Sequence, residues 1–202
     1  MSATLLPNVA RGHLSALDDT LTALRQQTGR LTRWGQLIAD RLREGGRVLA
    51  AGNGGSASEA QQLAAELLGR YPNGRPPYSA IALHADTSSL TALGDEYYHD
   101  FAEIFARQVT AHARPRDIVV LLSANGRSRN LVLAAEAGIR SGANVWALTG
   151  PGPNPLANAV EDAICLPGTA ATVQEAHLVA VHILCATAES ALSTQDSKHR
   201  AS

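Results

Sequence analysis

A chain of 202 residues with 45% hydrophobic side chains is long enough to bury a core and reads as one domain, 1–202. Its 17 basic and 18 acidic side chains leave a net charge of -1, and nothing in that total argues for a nucleic-acid or membrane partner. Cys165 and Cys185 sit in apolar company without C-x-x-C or metal-ligand spacing, so both read as core residues of a reduced, cytoplasmic protein.

The opening "MSATLLPNVARGHLSALDD" lacks a charged start followed by an apolar stretch, and no uninterrupted apolar run approaches a membrane span. Leu14, Leu17, Leu21, Leu24, Thr28 and Leu31 fall at alternating three- and four-residue steps, which predicts an amphipathic helix of heptad character. Such a stripe packs on its own domain or in a bundle across a subunit interface. Gly29 reads as the break, with Leu37, Ile38 and Leu42 continuing in a second helix that stops at Gly45-Gly46.

From there short apolar runs alternate with helical stretches. Residues 47–51, 79–84, 117–123, 144–150 and 162–167 read as five strands, while 57–69, 87–110, 128–141 and a final 172–192 read as helices, with a helical turn near 154–160. Strands apolar on both faces and separated by helices make a parallel sheet covered on two sides, an α/β fold. The chain then divides into a helical pair (1–44), an α/β core (45–192) and a polar tail (193–202), with "YPNGRPP" (71–77) as a turn-rich loop.

The segment "AAGNGGSASEAQQLAAELLGRY" (50–71) follows the first strand and opens the first crossover helix, where open α/β folds bind ligands. Gly52, Gly54 and Gly55 permit close backbone approach, and Ser56 is suited to cap the helix and offer a hydroxyl to an anion. Neither the G-x-G-x-x-G nor the Walker spacing is present, which argues against a dinucleotide or nucleoside triphosphate. A second turn, "SANGRSRN", carries Ser123, Asn125, Gly126 and Ser128 into another helix, and Arg127 and Arg129 add positive charge. Two polar turns in one sheet predict a single anion site fed from both.

These residues, with "VQEAHLVAVHIL" of the final helix, resemble the sugar isomerase (SIS) domain proteins, specifically the phosphoheptose isomerase branch, over nearly the whole chain. The resemblance implies a five-stranded SIS fold and a homotetramer in which the N-terminal helices form a bundle and active sites lie between subunits. It implies a phosphorylated sugar as partner and aldose–ketose isomerisation of sedoheptulose 7-phosphate through an enediol, within heptose biosynthesis. The acid/base positions match Glu66 and His182. Asn53, Gly54, Ser56, Arg70, Asp95, Ser123, Asn125, Ser128 and Gln174 match positions that contact or support the substrate.

The chain also departs from the family. Members commonly bind zinc through two histidines, a glutamate and a glutamine; here Glu66, Gln174 and His182 remain but Gln62 replaces the first histidine, which predicts weakened or absent metal. His177 is a conceivable substitute ligand, but a helix-surface or interface position is expected for it. "SANGRS" (123–128) loses two hydroxyls of the family's phosphate loop at Ala124 and Asn125, Gly94 replaces an asparagine, and Ala171-Thr172 replaces an aspartate-arginine pair. Arg127 or Arg129 is expected to restore anion binding through charge-assisted contacts. The same family implies two alternatives: a non-catalytic adaptor that binds the replication initiator DnaA, and a phosphosugar sensor.

Overall fold

The computed structural model describes residues 5–69, 76–95 and 101–199. Helix α1 (Leu5–Arg25) leads into α2 (Thr28–Arg43), whose buried Leu31, Trp34, Ile38 and Leu42 recur every three or four residues and form one apolar face. The break between them falls at Gln26 and Gln27 rather than at the expected Gly29. There the amides of both residues turn back to the carbonyls of Ala23 and Leu24. Gly29 sits inside the first turn of α2, where the backbone amides lack intrahelical partners and a glycine interrupts little.

Strands β1 (Val48–Gly52), β2 (Ala80–Ala82), β3 (Ile118–Ser123), β4 (Asn144–Thr149) and β5 (Asp162–Cys165) form one parallel sheet in the order β2-β1-β3-β4-β5. Helices α3 (Gly55–Leu68), α4 (Thr87–Asp95), α5 (Ile104–His112), α6 (Arg129–Arg140), a short α7 (Pro155–Asn158) and α8 (Ala170–His199) surround it. The five-stranded parallel α/β architecture expected from the sequence is therefore observed. Strand alternation divides the core by face: Val48 and Ala50 pack with α2, α3 and α8, while Leu49 and Ala51 pack with α5 and α6. At one border of the first layer Trp34 and Trp146 stack with centroids 4.7 Å apart, and the Trp34 indole N–H donates to Asp162 at 2.8 Å.

The helix expected over 87–110 is two helices. None of the residues of α4 is buried, whereas α5 buries Ile104, Phe105 and Val109 against α6 and the sheet, so the two stretches serve different surfaces. The final helix begins earlier than expected and continues through the polar segment as far as His199. An 18-residue window within its Ala170–Ser193 stretch reaches a mean hydropathy of 1.3, long and apolar enough by composition for a membrane span, although Gln174, Glu175, His177 and His182 interrupt it. Yet it packs against α1, α2 and α3, burying Val173, Ala176, Ala180, Val181, Leu184 and Ala188 as the central helix of one layer.

After β1 the chain moves to β2 on one side and later returns to β3 on the other. The connections leaving the carboxyl ends of β1 and β3 thus diverge, which opens a crevice between adjacent strands. The register pairs Gly52 with Leu122, so the turn starting at Asn53 and the turn starting at Ser123 emerge side by side.

Candidate functional site

The first turn runs Gly52-Asn53-Gly54-Gly55 into α3. Gly55 cannot be exchanged for a larger residue without movement, because a Cβ there would lie 2.7–2.8 Å from the Gln174 carboxamide of α8. Ser56, expected to cap α3, instead lies inside its first turn. The N-cap residue is Gly54 with no side-chain cap, and the Ser56 Oγ is buried without a hydrogen-bond partner. The turn is fastened to its neighbour by Asn53, whose amide donates to Asn130 at 3.0 Å while Asn130 donates back to Asn53 at 3.1 Å. Asn130 belongs to the first turn of α6, so this reciprocal pair holds the two helix entrances together.

In the second turn Ser123 Oγ accepts from the Gly126 amide at 3.0 Å, and Asn125 Oδ1 accepts from the Arg127 amide at 3.0 Å. Both side chains therefore shape the loop that carries them. Gly126 has φ +65, and its carbonyl accepts from the Leu156 amide at 2.9 Å, tying the loop to α7. Ser128 is the N-cap residue of α6 and makes no side-chain cap bond; Arg127 and Arg129 on either side of it are exposed. Ser128 and the exposed residues Arg127 and Arg129 thus flank the positive end of α6, a helix terminus that favours an anion.

Gln62, two turns into α3, and Glu66, one turn further on, are both half-buried, and the Gln62 amide donates to Glu66 Oε1 at 2.7 Å. This fixes the carboxylate's orientation from within its own helix. Gln174 packs over Gly55 as described, His182 is exposed on α8, and Asp95 is exposed at the end of α4. Arg70 lies outside the described residues. Among the described residues no three His, Cys, Asp or Glu side chains group where they could hold a metal ion.

Sequence reasoning missed two features. His177, expected at a surface or interface, is fully buried, with Nδ1 3.6 Å from Glu59 Oε2, itself 5% exposed. The i, i+3 spacing of Gln174 and His177 was the available signal, but only the packing of α8 on α3 reveals what faces the imidazole. The other is His84, just past β2, whose two ring nitrogens are buried without hydrogen-bond partners. Desolvation pushes its pKa below the usual 6.5. The fold therefore holds His84 neutral while the unfolded chain protonates, and stability is full above about pH 6.5 and declines as the pH falls below it. We expect His84→Gln to flatten the decline in melting temperature between about pH 7 and pH 5. An unchanged decline would show that another group dominates.

Comparison with known proteins agrees with this geometry. The SIS domain family matches residues 13–150. The phosphoheptose isomerase of Streptomyces coelicolor is 53% identical over 192 residues, covering 94% of this chain and 82% of that protein. Among solved structures, a phosphoheptose isomerase from Francisella tularensis superimposes with a TM-score of 0.83 at 29% identity, covering 94% of this chain and 100% of that one. Phosphoheptose isomerase GmhA from Neisseria gonorrhoeae gives 0.81 at 32% identity, covering 92% and 99%. The chain belongs to the SIS domain family and, within it, to the phosphoheptose isomerases.

Proposed function

We propose that this protein interconverts sedoheptulose 7-phosphate and D-glycero-D-manno-heptose 7-phosphate through an enediol. The observation that carries this reading is the pair of strand-to-helix turns locked together by Asn53 and Asn130, with Glu66 oriented on the helix that leaves the first of them. The phosphate is held at the entrance of α6 by Ser128 and the adjacent arginines. Ser123 and Asn125 keep that loop in shape, while Asn53, Gly54, Ser56, Arg70, Asp95 and Gln174 contact or support the sugar. Glu66 and His182 form the acid/base pair. A proton leaves C1 of the ketose, the enediol forms, and a proton is delivered to C2 to give the aldose. The adaptor and sensor alternatives are not favoured, because the chain's relatives are isomerases and both acid/base residues are present.

We also infer that the active site needs a second subunit and that the assembly is a homotetramer in the cytoplasm. Gln174 and His182 lie eight residues apart on α8, a rise of about 12 Å at 1.5 Å per residue. On that helix His182 is exposed, as are Leu178 and Val179, and Val9 and Leu14 are exposed on α1. Packing of these faces against other subunits would bury apolar surface and bring His182 of one subunit to the site of another.

Zinc is left out of this mechanism because the donor set does not fit it. Gln62 supplies an amide that already donates to Glu66 Oε1, and one imidazole with one carboxylate and neutral amides is a poor zinc set. Incubation with sedoheptulose 7-phosphate in deuterated water, followed by NMR, should show aldose formation with solvent deuterium in product. The absence of both product and exchange would overturn the isomerase reading. Chelator treatment should leave the rate within about twofold, and Gln62→His should create measurable zinc affinity by calorimetry. A rate that collapses in chelator and returns with zinc would overturn the metal-free reading.

A further inference from the structure

The isomerase mechanism above makes no use of Glu59 or His177, although both are buried at the crossing of α3 and α8. Their separation of 3.6 Å is within ion-pair range but too long for a hydrogen bond, and Glu59 Oε2 and both His177 ring nitrogens have no hydrogen-bond partner. The core on this side of the sheet includes Ala60 and Leu63 of α3 and Ala176 and Ala180 of α8, and Ser56, one turn before Glu59, adds a buried hydroxyl without a partner. Apolar side chains would fill such a position at lower desolvation cost than an under-satisfied pair, so the pair is not there for stability alone. Its location indicates what else it does. Glu59 lies four residues after Gly55 on α3, and His177 lies three residues after Gln174 on α8, so each shares a helix face with one member of the Gly55–Gln174 contact. The Gln174 carboxamide occupies the space that a β-carbon on Gly55 would need, so the height of α8 against α3 helps to set where that carboxamide lies at the mouth of the glycine turn.

We propose that Glu59 and His177 are positioning residues: their buried attraction sets α8 against α3 so that the Gln174 carboxamide is seated over Gly55, beside the bound sugar. The inference rests on the isomerase reading for its kinetic consequence, but its structural consequence is independent of it. The apolar neighbours fix distance but not register, since one alanine or leucine slides past another without losing a specific partner.

The test is the double variant Glu59→Met/His177→Leu, which removes both polar groups and fills the seam. It should melt at or above the wild-type temperature, yet show kcat lowered about 10- to 100-fold with KM changed less than about threefold, as expected for lost orientation. Its crystal structure should show the Gln174 carboxamide displaced from Gly55. An unmoved carboxamide, or kcat within about twofold of wild type, would overturn the proposal and leave the pair a structural one. Should the double variant not fold, Glu59→Gln removes the charge isosterically and should lower kcat about 3- to 10-fold at unchanged KM; no change would overturn the proposal. The wild-type assay run alongside separates the two ideas. An inactive wild type defeats the isomerase reading, and the position of Gln174 in the variant crystal then decides this one.

Discussion

Glu66→Gln is expected to lower kcat for sedoheptulose 7-phosphate isomerisation by about 10²- to 10⁴-fold with little change in KM. The substitution keeps the shape of the side chain, and its amide oxygen can still accept the N–H that Gln62 directs at Oε1 from 2.7 Å. What it removes is the ability to take up and release a proton at a carbon of the substrate. A loss of 10³-fold corresponds to about 4 kcal/mol of transition-state stabilisation, far more than one hydrogen bond to a sugar hydroxyl supplies. Because Glu66 is half-buried on a helix surface rather than in the core, the melting temperature should hold within a few degrees. NMR of the aldose product, with deuterium incorporation as the second readout, measures both chemistry and exchange. Residual activity above a tenth of wild type would move the proton-transfer role to another group.

Gly126→Ala should be the most disruptive single methyl group in the turn after β3. Gly126 has φ +65, which costs a residue with a β-carbon about 1–2 kcal/mol. The new carbon would also stand 1.9 Å from the Asn154 Oδ1. Asn154 has little freedom to retreat, since Oδ1 accepts from the Ala157 amide at 2.9 Å and the carboxamide donates to Thr149 Oγ1 at 2.9 Å. Overpacking of this kind costs about 1–3 kcal/mol, for a combined loss of about 2–5 kcal/mol. In a chain of this size that is a fall of about 5–20 °C in melting temperature. The loop holding Ser123 and Ser128 would move with Asn154, raising KM for the sugar phosphate about tenfold or more. Gly54→Ala is the internal control: its φ of +56 is also unfavourable, but nothing lies within 4 Å of the added carbon, so it should lose only the backbone part. Equal losses in the two variants would show that the clash with Asn154 is relieved at no cost.

Much of this protein could be read from its residues because the signals are local. Doubly apolar runs such as "DIVVLLS" specify buried parallel strands, glycine and serine clusters mark the turns after β1 and β3, and the four-residue step from Ile38 to Leu42 marks one face of α2. The glycine turns were visible for the same reason, whereas Glu66 and His182 were marked by the resemblance to the SIS domain family. Helix boundaries were less legible. The 87–110 region contains apolar residues at helical spacing throughout, and only the different burial of α4 and α5 separates its two parts.

What the sequence by itself determined is therefore the inventory: five strands, the helices between them, two anion-suited turns, Glu66 and His182, and the substitution of Gln62. What only the tertiary structure decided is which of these meet. Strand order brings the turns after β1 and β3 together at a switch point, so that Asn53 finds Asn130 across 77 residues of chain. The packing of α8 on α3 puts Gln174 over Gly55 and buries His177 against Glu59, turning a residue that looked like a surface histidine into part of the core. The physical reason is that periodicity and turn chemistry are properties of neighbouring residues, whereas the partner of a buried polar side chain is set by long-range packing, which no local spacing encodes.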